Sequence, residues 1–150
     1  MSMKVRGAMT SDLQQLAELF DGYRVFYRKE SDVESAKQFL SDRLEQGDSE
    51  IYVCATEEGN LVGFTQLYPL FSSTRMKRLW LLNDLFVDSN FRGKGVSVML
   101  IERAKQLVRD TSACGMFLET EKSNTIGNNL YPKTGFKLND GSNFYEWNND

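Results

Sequence analysis

The spacing of apolar residues changes along the chain and thereby predicts which segments are helices and which are strands. Residues Lys4 to Met9 are predicted to form a short first strand. Apolar positions then recur every three or four residues up to about Tyr27, which is typical of an amphipathic helix. A second helix of the same kind is predicted to start after Ser31-Asp32-Val33-Glu34 and to end at Gly47.

The middle of the chain carries longer runs of apolar residues, which favour buried strands. We predict three of them, over Ile51 to Ala55, Leu61 to Leu70 and Arg78 to Val87. The third is apolar almost throughout and is interrupted only by Asn83 and Asp84. Such a run predicts a central strand that is covered on both faces.

Helical spacing returns after a glycine-rich turn and continues from Val96 to Val108. It is followed by a predicted strand over Met116 to Glu121 and a short helix over Asn124 to Thr134. Two further strands, Phe136 to Leu138 and Phe144 to Trp147, are predicted to form a closing hairpin.

The predicted order is therefore β-α-α-β-β-β-α-β-α-β-β. This is an α/β (α+β mixed) fold, a mixed, twisted sheet of about seven strands with helices on both faces. The length of 150 residues fits a single domain over 1–150.

Composition narrows the function classes. The 18 Lys and Arg residues and 21 Asp and Glu residues give a net charge of −3, which argues against nucleic acid as the partner. No apolar run is long enough to cross a bilayer, and the N-terminus lacks the apolar core of a signal peptide, so we expect a cytoplasmic protein with no membrane partner.

The chain has no histidine, which excludes Ser-His-Asp and Cys-His catalysis. With Cys54 and Cys114 isolated, we expect reduced thiols and no metal site.

The turn between the third long strand and the next helix contains Arg92, Gly93, Lys94 and Gly95. A helix N-terminus with flexible, cationic residues favours an anion, so we predict a phosphate-binding loop. A Walker A loop is disfavoured because no Ser or Thr follows the Gly-Lys pair. A dinucleotide-binding fingerprint is disfavoured because the third glycine is replaced by Val98.

The same turn fits the pattern Q/R-x-x-G-x-G/A, with Arg92, Gly95 and Ser97 at its defining positions. It resembles motif A of the GCN5-related N-acetyltransferase (GNAT) superfamily, from which Ser97 departs by replacing Gly or Ala. A second family motif follows in "NTIGNNLYPKTGF", where Gly127 replaces the common alanine. The residues that match this second motif are Asn124, Leu130, Tyr131, Gly135 and Phe136.

The resemblance implies acetyl-CoA as cosubstrate. The strand backbone before the turn is expected to bind the pantetheine arm, and the turn itself is expected to bind the pyrophosphate. The cofactor-binding residues implied in this way are Leu85, Phe86, Val87, Arg92, Gly93, Lys94, Gly95, Val96, Ser97 and Asn124. Tyr131 matches the general acid that protonates the departing thiolate.

The segment "LNDLFVDSNFRGKGV" is most similar to the diamine (spermidine/spermine) acetyltransferase branch, although Asn83 stands where that branch has its first acid. The proton acceptor for the incoming amine is left open among Asp84, Glu119 and Glu121, of which Asp84 is the catalytic candidate. We expect the acceptor amine to be bound by Tyr23, Tyr27, Asn83, Asp84 and Glu119.

The resemblance implies an N-acetyltransferase that acts on a small-molecule primary amine, diamine-like or amino-acid-like, by direct transfer in a ternary complex. It also implies a homodimer, because the family commonly pairs through its C-terminal strands. Two alternatives stay open. One is a protein lysine or N-terminal acetyltransferase, and the other is a non-catalytic module that senses acyl-CoA.

Overall fold

The computed structural model describes residues 2–149, which form two compact units. The first unit ends at Leu118 and the second begins at Glu119. Whether both units together form the single domain expected over 1–150 stays a prediction.

The first unit is built on a five-stranded sheet with the order β1-β2-β3-β4-β5. The strands β1 to β4 pair with one another in antiparallel orientation, whereas β5 pairs with β4 in parallel. The sheet is therefore mixed, as the sequence predicts. The strands are β1 (Met3–Gly7), β2 (Glu50–Thr56), β3 (Leu61–Ser72), β4 (Lys77–Val87) and β5 (Met116–Phe117).

Four α-helices lie close to their predicted positions, namely α1 (Leu13–Phe26), α2 (Val33–Gln46), α3 (Val96–Asp110) and α4 (Thr125–Lys133). Helix α2 has local start and stop signals, because Asp32 accepts a hydrogen bond from the Ser35 amide and Gly47 adopts a left-handed conformation with φ of 62°. Among the residues that the structure describes, no helix is both long enough and apolar enough to span a bilayer.

Helices α1 and α3 cover opposite faces of the sheet, which confirms that part of the prediction. Neighbouring residues in a strand point to opposite faces, and Gly63 and Phe64 of β3 show which helix covers each one. The Phe64 ring packs against Phe20 of α1, with 5.9 Å between ring centroids. Gly63 lies against Val96 of α3.

The prediction of seven strands in the stated order was wrong, because only five strands are present between residues 2 and 149. The strand predicted over Met116 to Glu121 ends at Phe117. The predicted hairpin strands Phe136 to Leu138 and Phe144 to Trp147 are not strands, and Phe144 and Trp147 are 74% and 85% exposed. A strand needs a neighbouring strand for its backbone groups, and the residues within a segment do not specify that neighbour.

Candidate active site

Strand β4 has a neighbour on both sides only near its middle. Trp80 and Leu81 pair with Met116 and Phe117 of β5, and within the described chain no later residue of β4 pairs with β5. Within residues 2–149, residues 85–87 therefore pair with β3 alone, and the other edge of this segment has no strand partner there. An unpaired edge can bind an amide-containing chain by strand addition, as the resemblance implies for Leu85, Phe86 and Val87.

A β-bulge at Asn83 interrupts β4 at the start of this segment. Gln66 of β3 pairs with Asp84 whereas Leu67 pairs with Leu82, so Asn83 is an extra residue in β4. An extra residue changes which side chains point to each face and increases the local twist. The Asn83 side chain is exposed, whereas Asp84 is only 3% exposed.

The bulge places Asp84 on the α1 face of the sheet. Before the bulge, the indole of Trp80 donates a hydrogen bond to Thr111 at the end of α3, at 2.9 Å, so Trp80 lies on the α3 face. Asp84 is four residues later and would share that face in a regular strand. Instead, its carboxylate contacts Gln66, which lies two residues from Phe64 on the α1 face.

The Asp84 carboxylate is held by neutral hydrogen-bond donors. Its Oδ2 accepts from Gln66 Nε2 at 2.7 Å, and its Oδ1 accepts from Asn83 Nδ2 at 3.0 Å. Burial raises the pKa of the Asp84 carboxyl group, and hydrogen bonds from Gln66, Tyr23 and Asn83 partly offset this effect. Among the described residues, no Lys or Arg forms an ion pair with it. A carboxylate that is buried without a cation is a candidate functional group.

Of the two aromatic residues predicted to contact the acceptor, Tyr23 lies beside this carboxylate and Tyr27 packs against Tyr23. The Tyr23 hydroxyl donates to the Asn83 carbonyl oxygen at 3.2 Å. The Tyr23 ring meets the Tyr27 ring edge to face, with centroids 5.2 Å apart, and lies 6.3 Å from the ring of Phe86. The fold thus brings together four of the five predicted acceptor residues, Tyr23, Tyr27, Asn83 and Asp84.

The glycine loop, residues 92–97, has the backbone geometry of an anion site. Gly93 and Gly95 have φ of 77° and 82°, and a Cβ atom added at either position would meet no atom within 4 Å. Helix α3 begins directly after Gly95, and in the described chain no side chain caps its N-terminus. Its first N–H groups therefore lack helical partners. These features fit the pyrophosphate of coenzyme A.

The side chains of the glycine loop differ in exposure: those of Arg92 and Lys94 are exposed, whereas that of Val96 is buried. Arg92 is exposed and donates from Nε to the Val87 carbonyl oxygen at 3.2 Å. The ammonium group of Lys94, which is also exposed, lies 6.0 Å from the centre of the Phe91 ring. Both cations are accessible to an anion. The Val96 side chain is buried, so only its backbone N–H is available to a phosphate.

A cavity of about 260 Å³ lies between α1 and the end of β4. Two of its lining residues, Glu18 and Asp88, carry carboxylates, which repel phosphates. The glycine loop is therefore the better phosphate site. The cavity is lined by Gln15, Glu18, Leu19, Gly22, Leu61, Phe86, Asp88 and Ser89.

In the second unit, Asn124 caps helix α4. Its Oδ1 accepts from the Gly127 amide at 3.1 Å, and its Nδ2 donates to Thr120 Oγ1 at 2.9 Å. A Cβ atom on Gly127 would lie 2.6 Å from Asn124 Nδ2, so the alanine that is usual in the motif would require the Asn124 side chain to shift. The role of Asn124 toward the cofactor stays a prediction.

Tyr131 and Glu119 also belong to the second unit. The half-buried Tyr131 ring meets Phe136 edge to face, with 5.7 Å between centroids. Glu119 is exposed and follows the end of β5, so it does not lie on a strand as expected. The catalytic role of Tyr131 and the acceptor role of Glu119 stay predictions.

Two residues that contribute to the site were not identified from the sequence. Gln66 is fully buried and contacts Asp84, and its position within the apolar run of β3 was the available signal. Gly63 lets α3 approach the sheet, because a Cβ atom there would lie 2.9 Å from Val96 Cγ1 and 3.1 Å from the Phe86 carbonyl oxygen. A glycine within a strand is a recognised signal of such close approach.

Comparison with known proteins decides the family. The model of the Acetyltransferase (GNAT) family matches residues 13–136. The chain belongs to this family. It is therefore an acetyltransferase of the GNAT type, and enzymes of this family use acetyl-CoA as cosubstrate.

Individual relatives agree with this assignment. An uncharacterized N-acetyltransferase of Bacillus subtilis, YhfO, is 44% identical over 139 residues, which cover 93% of each chain. The crystal structure of a probable acetyltransferase is similar with a TM-score of 0.92 and 36% identity, covering 98% of both chains. The streptothricin acetyltransferase of Escherichia coli is 33% identical over 102 residues, which cover 68% of this chain and 55% of that enzyme. The diamine branch within the family stays a prediction.

Proposed function

We propose that this GNAT enzyme transfers the acetyl group of acetyl-CoA to a primary amine of a small cationic molecule. The observation that carries the proposal is the Asp84 carboxylate, which is buried beside Tyr23 and has no cationic partner among the described residues. An ammonium group that approached this position would supply the missing counter-charge. In a partly desolvated site, such a charge-assisted contact contributes about 1.5–3 kcal/mol.

The cofactor would extend along the end of β4 to the glycine loop. The free N–H groups after Gly95 would hold the pyrophosphate, and Arg92 and Lys94 would add positive charge. The unpaired edge of residues 85–87 would bind the pantetheine amides as an added strand. A backbone N–H there would also polarise the thioester carbonyl and stabilise the oxyanion that forms during attack.

Direct transfer needs two proton movements. The acceptor arrives as an ammonium ion and must lose a proton before its nitrogen attacks the thioester carbon. Asp84 is the proposed proton acceptor, directly or through water, because its raised pKa makes it a stronger base than an ordinary aspartate. When the carbon–sulfur bond breaks, Tyr131 is proposed to donate its phenolic proton to the departing thiolate.

The environment of Asp84 favours an acceptor with one cationic group at this position. Asn83 provides a hydrogen bond but no charge where the diamine branch has an acid. One relative, the streptothricin acetyltransferase, is named for the acceptor streptothricin and not for a protein. Small primary amines, including diamines and amino-acid-like amines, are therefore the first candidates.

The proposal is tested by thiol release from acetyl-CoA in the presence of a panel of amines, peptides with a free N-terminus and lysine peptides. We expect amine-dependent release with small cationic amines and formation of the acetylated amine by mass spectrometry. Turnover of peptides alone would favour the protein-acetylating alternative. Binding of acetyl-CoA without turnover of any acceptor would favour the acyl-CoA-sensing alternative.

The homodimer implied by the resemblance is a separate proposal. It is supported by the aromatic rings of Phe144, Tyr145 and Trp147, which are exposed and therefore available to pack against a second copy of the chain. Light scattering should give about twice the chain mass of 17.2 kDa. A monomeric mass at micromolar concentration would contradict it.

A further inference from the structure

Gln66 is a fully buried polar residue whose amide joins two side chains. Its Oε1 accepts a hydrogen bond from Ser49 Oγ at 2.8 Å, and its Nε2 donates to Asp84 Oδ2 at 2.7 Å. Ser49 directly precedes β2, so this chain of contacts links three neighbouring strands of the sheet. Both ends of the Gln66 amide are therefore engaged.

The orientation of the Gln66 amide follows from its neighbours. An ionised carboxylate only accepts hydrogen bonds, so the amide nitrogen must face Asp84 and the amide oxygen must face Ser49. The other carboxylate oxygen of Asp84 accepts from Asn83 Nδ2. Both oxygens thus meet donors, which is the arrangement that suits the charged form of the carboxyl group and disfavours the protonated form.

We infer that Gln66 is a positioning residue for the proposed reaction: its amide, anchored by Ser49, keeps the Asp84 carboxyl group charged and fixed for the acceptor ammonium. The inference rests on the proposed function for the identity of the acceptor. Its effect on the charge of Asp84 can be measured independently of turnover.

Asp84 is the group whose change of charge is expected to govern the pH dependence of this site, because its neighbours are neutral or paired with each other. Tyr23 from α1 and Asn83 from β4 are hydrogen-bond partners of the carboxyl group. Tyr68 from β3 also senses its charge, but burial raises the pKa of Tyr68 to about 12, so Tyr68 stays neutral near pH 7. The charged groups that face Tyr68, Arg43 and Asp48, form an ion pair with each other at 2.9 Å.

The first experiment compares the pKa of Asp84 in the parent chain and in Gln66→Met, measured from the carboxyl ¹³C shift by NMR. Methionine keeps the length of the side chain and removes the donor. We expect the pKa of Asp84 to rise by about one unit, the size expected from the loss of one charge-assisted hydrogen bond. Asp84→Asn identifies the resonance of Asp84.

The kinetic readout is the acid limb of the pH dependence of kcat/KM for the amine. In Gln66→Met this limb should move upward by about as much as the carboxyl pKa, and KM for the amine at pH 7 should rise about threefold to tenfold. The Kd for acetyl-CoA should stay within about twofold. A purely structural role of Gln66 would lower stability but leave the position of the acid limb unchanged.

Two further variants complete the design. Gln106→Met is the matched control, because exposed Gln106 donates to exposed Asp110 at 2.8 Å and makes the same type of contact in solvent. It should leave the pH profile unchanged. Ser49→Ala removes the anchor at a half-buried position and should shift the pKa of Asp84 in the same direction by a smaller amount.

An unchanged pKa of Asp84 in Gln66→Met overturns the inference. If that variant does not fold, an unchanged pKa in Ser49→Ala overturns it. If the parent chain acetylates no amine while the pKa of Asp84 rises in Gln66→Met, the control of charge by Gln66 is supported and the proposed function fails. If amine turnover is present but the acid limb does not follow the carboxyl pKa, the positioning role is overturned and the proposed function stands.

Discussion

The glycine loop and the surroundings of Asp84 are two polar regions that differ in exposure and in the groups that supply their hydrogen bonds. The loop is exposed, and its chemistry comes from backbone N–H groups and from two glycines with positive φ. The Asp84 cluster, which comprises Asp84, Gln66, Ser49, Asn83 and Tyr23, is centred on two buried residues, and its chemistry comes mainly from side-chain hydrogen bonds. The first region suits a large anion, whereas the second suits a small cation.

The difference teaches how each region can fail. Backbone donors are kept by almost any small residue, so the loop is sensitive to bulk, charge and the loss of positive φ. A buried side-chain network is sensitive to the loss of one donor or one charge, because water cannot replace it. Variants in the loop should therefore change cofactor binding, and variants in the Asp84 cluster should change acceptor binding and pH dependence.

The largest effect is expected at the glycine loop. Gly95→Glu places a carboxylate where the phosphates are proposed to bind and requires a left-handed conformation that glutamate rarely adopts. Calorimetry should show acetyl-CoA affinity reduced by more than about 100-fold. Gly47→Glu is the control, because Gly47 has φ of 62°, open space around it and a position at the end of α2. Normal binding by Gly95→Glu would show that the phosphates bind elsewhere.

The next largest effect is expected at Tyr131, which lies outside both regions and is the proposed general acid for the leaving thiolate. Tyr131→Phe keeps the ring that packs against Phe136 and removes only the hydroxyl. If Tyr131 protonates the leaving thiolate, kcat should fall by about 10²-fold while acetyl-CoA affinity changes little. Stopped-flow kinetics would show whether chemistry limits turnover. An unchanged kcat under that condition would leave Tyr131 with a packing role.

A moderate effect is expected when the charge of Asp84 is removed. Asp84→Asn is nearly isosteric and should raise KM for cationic amines by about tenfold, with little change in acetyl-CoA affinity. Steady-state kinetics with both substrates varied separates these constants. Asp110→Asn removes a charge from an exposed Gln–Asp pair and is the matched control. Equal KM values in Asp84→Asn and the parent chain would exclude Asp84 from acceptor binding.

The smallest effect concerns stability and its dependence on pH. Because burial raises the pKa of Asp84 in the folded chain, the folded state binds a proton more readily than the unfolded state. The contribution of this group to stability is therefore most favourable below the ordinary aspartate pKa of about 3.9 and declines as pH rises through the folded pKa.

At pH 8, Asp84→Asn should accordingly be more stable than the parent chain and unfold at a higher urea concentration. The expected gain in free energy of unfolding is about 1 kcal/mol, the size seen when a polar group retained for function is replaced. The difference should shrink toward pH 4. A difference that is the same at both pH values would mean that the ionised carboxylate carries no burial penalty.

Much of the first unit could be predicted because its signals are local. The end of α2 at Gly47 and the start of α3 after Gly95 follow from glycine positions and apolar spacing within a few residues. The position of the glycine loop was predictable for the same reason, since the loop consists of consecutive residues. The strands predicted over Phe136 to Leu138 and Phe144 to Trp147 were wrong, because strand pairing depends on what lies beside a segment and not on its own residues.

The sequence by itself thus determined the order of the elements up to α4 and the position of the glycine loop. Only the tertiary structure decided what surrounds Asp84. In the sequence, Asp84 could be recognised as an acid that interrupts an apolar strand. The bulge at Asn83, however, turns Asp84 away from the face of Trp80. Its partner Gln66 is 18 residues away in sequence. Pairing register and bulges depend on contacts between strands, so no local pattern specifies which face a single side chain will occupy.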